Sequence, residues 1–141
     1  QQIAEVGADM ARQRNAEMLR TKIVYARDMR THRLAIAAYE QAWQEKVERI
    51  GNLNFPDEAR RDKLSGGLVL AVGIKPDGGV YSVQLQQSSG HAVLDDAARH
   101  IVELAAPFAP LTEEILEAVD VLVITRTWRF DSNYRLETRS R

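Results

Sequence analysis

The chain has 141 residues, 45% of them hydrophobic, enough for one domain of ordinary size around a single core plus an extension. With 19 Lys and Arg against 20 Asp and Glu the net charge is −1, which supplies no overall field for nucleic acid or an anionic membrane; nucleic acid is excluded as a partner class, and any electrostatic partner must be read by a local patch. The absence of cysteine excludes disulfides and thiolate metal sites, and the longest nearly unbroken apolar run, Gly66 to Ile74, falls far short of the ~20 residues of a membrane-spanning helix.

No charged-then-apolar signal segment opens the chain. It begins at Gln1 and reads as part of something longer, with any anchor upstream. The first fifty residues contain one glycine and no proline and are rich in Ala, Arg, Glu, Gln and Met, which predicts a long helix. Its pattern tightens from Leu34, where Leu34, Ala37, Ala38, Trp43, Val47 and Ile50 could share a face, so a boundary is placed near residue 34. Arg12 to Arg33 carries seven basic residues against two acids and reads as a solvated helix face or stalk. Gly51-Asn52 is a stop signal, and Phe55-Pro56-Asp57-Glu58 restarts a short helix running to about Lys63.

Two β-favouring runs, Leu68 to Ile74 and Val80 to Leu85, flank Lys75-Pro76-Asp77-Gly78-Gly79, strong hairpin punctuation. The first run is apolar on both faces, as a central strand should be; the second is apolar on one, so helices should cover only one face of the sheet. After Ser88-Ser89-Gly90, an amphipathic helix places Leu94, Ala97, Ala98, Ile101, Val102 and Ala105 on one side, with Asp95 and Asp96 near its positive end, and Pro107 and Pro110 close it. The last predicted strand, Val119 to Phe130, alternates Val121, Val123, Thr125 and Thr127 with Leu122, Ile124, Arg126, Trp128 and Phe130.

A strand, a crossover helix and another strand in one sheet usually run parallel, which lets the last strand pair antiparallel with the first on its free side. The expected fold class is therefore α+β: a three-stranded antiparallel or mixed sheet, order 2-1-3, with helices packed on one face, preceded by a long N-terminal helix. In that order the last strand is an edge, free to pair with an extended peptide or with a second copy of the chain.

The pieces Phe55-Pro56-Asp57-Glu58-Ala59-Arg60, Gly67 to Ile74, Asp77-Gly78, Val80, Val83, Ser88-Ser89-Gly90, Leu94-Asp95-x-Ala97-Ala98 and Phe108-x-Pro110 resemble, in order and spacing, the C-terminal domain of TonB-type energy transducers. The resemblance covers Leu53 to Phe130 and divides the chain into a helical stalk or linker, 1–33, and a TonB-like domain, 34–141. It implies a periplasmic domain of an inner-membrane-anchored Gram-negative protein, coupled through an upstream membrane helix to an ExbB/ExbD-type proton-driven motor. Such domains add the N-terminal box of a TonB-dependent outer-membrane transporter as a strand beside their own last strand. Transferred here, the partner-binding residues are Val119, Val121, Leu122, Val123, Ile124, Thr125, Arg126, Thr127 and Trp128, with Phe55, Pro56 and Arg60 flanking the bound box. Phe55 stands where the family usually has Tyr, and the family's proline-rich spacer is replaced by the basic helical segment, which makes peptidoglycan or a pilus-related complex a further candidate partner.

An enzymatic reading finds little support. His91 and His100 are nine residues apart and lie on different sides of a helix; Asp96 and His100 form an i, i+4 surface pair; Ser88 and Ser89 lack a nucleophile elbow; and the glycine pairs form no phosphate-binding fingerprint. Trp43 and Trp128 read as core or sheet-face anchors. No catalytic residue, metal or cofactor is expected. The alternative to a force-transmitting adaptor is a TolA-like envelope scaffold or a cell-wall or pilus-associated binding domain.

Overall fold

The computed structural model describes residues 21–140. In chain order they form β1 (Ile23–Tyr25), a 3-10 turn (Ala26–Asp28), α1 (Arg33–Leu53), α2 (Asp57–Arg61), β2 (Gly66–Ile74), β3 (Val80–Gln87), α3 (Ala92–Ala105), α4 (Glu113–Ala118), β4 (Val121–Phe130) and β5 (Leu136–Ser140). The expected trio is present: β2 lies between β3 and β4 and pairs antiparallel with both, in register from Gly66↔Phe130 to Ile74↔Leu122 on the β4 side.

Three expectations need correction. The sheet has five strands, because β1 pairs parallel and β5 antiparallel with β4. β4 is consequently an interior strand, where an edge was expected, and it begins at Val121; Val119 lies in the connection from α4. The long N-terminal helix lies for its first 20 residues outside the described part, and the stretch after it holds β1 and the 3-10 turn, with helix only from Arg33. β1 is three residues long, too short for a period of two to be read.

One face of the sheet carries Leu68, Leu70, Val72, Ile74, Leu122, Ile124, Trp128 and Phe130, and packs against Ile36, Tyr39, Trp43 and Val47 of α1 and Leu94, Ala98, Ile101 and Val102 of α3. The strict alternation of β2 and β4 dictates this division, since successive side chains of a strand point to opposite faces. Trp43 and Trp128 meet edge to face with centroids 6.4 Å apart, and neither is more than 2% exposed, so both are core anchors. The Tyr39 hydroxyl donates to the Ala109 carbonyl at 2.7 Å, and burial pushes its pKa up to about 12. On the opposite face Ala71, Val121 and Val123 form a smaller cluster with Tyr25.

Gly51 does not stop α1, which runs through it to Leu53. Its missing side chain serves packing: a Cβ there would overlap Leu136 of β5 and crowd Ile101 of α3. Gly78 has φ +90°, and a Cβ would strike the Phe108 carbonyl, because the hairpin tip is bonded to the segment after α3 through Phe108 N–H to Gly78 O at 2.8 Å and Leu111 N–H to Pro76 O at 3.0 Å. The six-residue α4 was passed over in the sequence, although Thr112 caps it by accepting from Ile115 N–H and Glu113 and Glu114 face the positive end of its dipole.

Asp95 does more than face a helix dipole. Its carboxylate accepts from Ser88 Oγ at 2.5 Å and from Ser89 N–H and Oγ at 2.9 and 2.8 Å, clamping the end of β3 to the first turn of α3. Burial pushes its carboxyl up, but the Ser88 and Ser89 hydrogen bonds and the Arg99 charge outweigh burial and leave it below its usual value of 3.8. Asp96 and His100 do not pair with each other: Asp96 meets Arg99 at 3.6 Å and His100 meets Glu103 at 3.9 Å. Because the folded pKa of Asp95 is depressed, its contribution is present above 3.8 and lost as pH falls through the lower folded value. Asp95→Asn should cost roughly 1–3 kcal/mol near neutral pH, with the gap to the unmodified chain narrowing in strong acid; urea unfolding at about pH 7 and about pH 2.5 measures both.

Candidate functional site: the outer flank of β4

Seven β-branched or aromatic residues among its ten favour the extended chain of β4, the longest strand, and the candidate site is the flank it turns away from β2. Two short segments cover it end to end. β1 takes Val121, Leu122 and Val123, opposite Ile23, Val24 and Tyr25; β5 takes Arg126 to Phe130, opposite Ser140 to Leu136. Between them Ile124 and Thr125 have no strand partner on that side among the described residues. A cavity of about 160 Å³ opens at this break, lined by Tyr25, Arg27, Glu40, Val123, Thr125 and Ser140 together with Ala26. The Thr125 hydroxyl oxygen is itself buried and has no hydrogen-bond partner among the described residues.

The two covers are held differently. β1 is anchored at its start, where Lys22 O accepts from Asp120 and Val121 N–H at 2.8 and 3.0 Å and Lys22 N–H donates to Asp120 Oδ2 at 2.9 Å. β5 is gripped from both sides, because a polar stripe of α1 lies along its outer edge. Asn52 Oδ1 accepts from Leu136 N–H at 2.8 Å and its Nδ2 donates to Leu136 O at 3.4 Å; Glu48 Oε1 accepts from Thr138 N–H at 2.8 Å. Arg126 completes the row, donating through Nη1 to Ser140 Oγ at 3.1 Å and Gln44 Oε1 at 3.3 Å and through Nη2 to Glu40 Oε2 at 2.8 Å. The stripe 40, 44, 48, 52 works because four helical residues rise about 6.0 Å and two strand residues about 6.6 Å, so the two periods stay in step over the length of β5.

The residues assigned to partner binding are thus distributed unevenly. Leu122, Ile124, Arg126 and Trp128 are buried beneath the helices, Val119, Val121 and Val123 are buried too, and Thr125 and Thr127 are half-buried. Trp128 is fully buried, so it does not reach the surface of β4. Phe55, Pro56 and Arg60 gather at the far end of the strand: the Phe55 ring lies 5.8 Å from Phe130 and 6.1 Å from Tyr134, and the Arg60 guanidinium sits 5.4 Å over the Tyr134 ring. Sequence reasoning missed Glu40, Gln44, Glu48 and Asn52. Their i, i+4 spacing is the signal in the sequence that places them along one face of α1.

Burial lifts the Glu40 carboxyl above its usual 4.5, and the Arg126 charge and hydrogen bond pull it part of the way back. No group of three His, Cys, Asp or Glu that could hold a metal ion exists among the described residues, and none of their helices is long and apolar enough to cross a membrane. What the site offers is backbone: a sheet flank, two short resident strands and a small cavity of mixed polar and apolar lining where they meet.

The chain belongs to the family of Gram-negative bacterial TonB protein C-terminal domains, whose family model matches residues 51–132, more than half of the sequence. It is a family of periplasmic domains that interact with outer-membrane transporters. No curated protein and no solved structure matches the chain significantly. β1, nearly all of α1, and β5 lie outside the matched segment.

The side chain of Arg126 is 6% exposed and that of Glu40 21%, so removing one partner strands a largely buried charge. Glu40→Ala should destabilise the chain by roughly 2–3 kcal/mol, less than a fully buried pair because Glu40 retains solvent, and Arg126→Met in that background should recover most of the loss. Urea unfolding of the two single variants and the double variant gives the coupling; a value near zero would show a solvent-screened pair.

Proposed function

We propose that this chain is the periplasmic receiving domain of an inner-membrane-anchored energy transducer. It docks the N-terminal box of a TonB-dependent outer-membrane transporter by β-strand addition and transmits energy derived from the proton-motive force for substrate import, siderophore-bound iron being the leading cargo. An ExbB/ExbD-type motor would engage it through a membrane helix upstream of Gln1. The supporting observation is the family match over 51–132 combined with the state of β4: a ten-residue strand whose outer flank is held by resident segments of only three and five residues. An incoming segment that spans more of β4 than the cover it replaces, and leaves the other cover in place, gains more backbone hydrogen bonds than it displaces, each worth about 0.5–1.5 kcal/mol net. Affinity then comes from the main chain, and side-chain pockets need only set register.

The covered flank also favours a second reading, in which β4 stays closed and the domain serves as a TolA-like scaffold, or as a cell-wall or pilus-associated module, through its surface. The two predict different deletion phenotypes: lost uptake of iron chelates under the first, envelope leakiness with uptake intact under the second. More directly, titrating the isotope-labelled chain with transporter-box peptides should move backbone amides within Val121 to Phe130. A response confined to the helices, with β4 silent, counts against docking on this strand.

A further inference from the structure

If a segment is to reach β4, one of its two covers must yield, and the two are not equally secured. β5 has five paired positions on β4 and, on its other edge, the side chains of Asn52 and Glu48, with Ser140 tied back through Arg126. β1 has three paired positions, no second neighbouring strand among the described residues, and a first residue, Ile23, that is 45% exposed. β1 is the weaker cover. After Tyr25, opposite Val123, the chain turns away as the 3-10 turn. Had the strand continued, Ala26 would face Ile124 and Arg27 would face Thr125. Arg27 nonetheless lines the cavity at the break, its guanidinium 4.8 Å over the Tyr25 ring, in a space walled by Glu40, Thr125 and Ser140. The Glu40 carboxylate oxygen that does not hold Arg126 is an acceptor and suits a donor side chain.

We propose that β1 is a resident placeholder, replaced on docking by a partner segment that runs parallel to β4 across Val121–Thr125 and lays an Arg or Lys side chain into the cavity beside Thr125 and Glu40. This rests on the docking reading above and adds the strand displaced, the direction of the guest and the side chain it must carry. β1 itself displays the pattern: Ile23, Val24 and Tyr25, one intervening residue, then a cation. β5 stays in place.

The probe is a synthetic peptide with the sequence of Lys22 to Arg27, and its counterpart with Glu in place of the arginine. Val24→Asp in the full chain loosens β1 without altering β4, so the arginine peptide should bind this variant at least about tenfold more tightly than it binds the unmodified chain, as expected when the resident competitor is removed. Amides of Val121 to Thr125 should shift, those of Leu136 to Ser140 should keep their hydrogen-exchange protection, and the glutamate peptide should bind at least about fivefold more weakly. If Val24→Asp unfolds the domain, Val24→Ala gives the same comparison with a smaller gain. Equal binding of the two peptides would overturn the cation subsite. Release of β5, or no gain in a variant whose β1 amides exchange freely, would overturn the placeholder. Transporter-box peptides that shift only Arg126 to Phe130 would overturn this inference while leaving docking on β4 intact, and box peptides silent on β4 would end the docking reading whatever the Lys22 to Arg27 peptide does.

Discussion

A strand buried on both faces must have both rows of its backbone donors and acceptors satisfied, and the outer row of β4 is the constraint around which the rest is arranged. β2 satisfies the inner row over nine consecutive pairs. The outer row runs past Val121, Leu122, Val123 and Ile124, all buried, so water cannot easily take the place of protein partners. Two segments distant in sequence, Ile23–Tyr25 and Leu136–Ser140, meet that demand in series. The cavity at their junction marks where coverage lapses.

α1 has two jobs on two faces. Ile36, Tyr39, Trp43 and Val47 fill the core against the sheet, while Glu48 and Asn52 act as a surrogate neighbouring strand for β5 and Glu40 and Gln44 hold Arg126, which ties back Ser140. A sheet edge protected by helix side chains offers no backbone template to another chain, which is one way of blunting an edge without proline or lysine. Gly51 lets the helix come close enough for this, since a methyl group there would collide with Leu136. The Arg126–Glu40 pair is better understood as a fastening than as a net source of stability. The Glu40 carboxyl is raised by burial, so its ionisation works against folding as pH rises above the usual 4.5.

The matched and the unmatched parts of the chain share the work of building the flank of β4. The matched segment supplies β2, β3, α3 and β4, the platform on which strand addition is sensible. The unmatched segments supply covers of unequal strength.

Much of the platform was legible from residue order alone. The alternation of Leu68 to Ile74 and of Val121 to Phe130, the Pro-Asp-Gly-Gly turn, and the 3.6-residue spacing from Leu94 to Ala105 are local patterns, and local patterns fix strand, turn and helix because side-chain direction follows backbone geometry. The order β3-β2-β4 followed from connection rules. β1, β5 and the stripe on α1 were not legible, for one reason: none is specified by its own neighbourhood. Three residues carry no period, and Leu136 to Ser140, with Glu137 and Arg139 in it, looks like a solvated tail until Leu136 and Thr138 find the core. Whether β4 would be an edge depended on contacts across roughly a hundred residues of chain, from Ile23 to Val121 and from Asn52 to Leu136, and only the packed tertiary structure, where backbone groups must find partners wherever they lie, decides such a question.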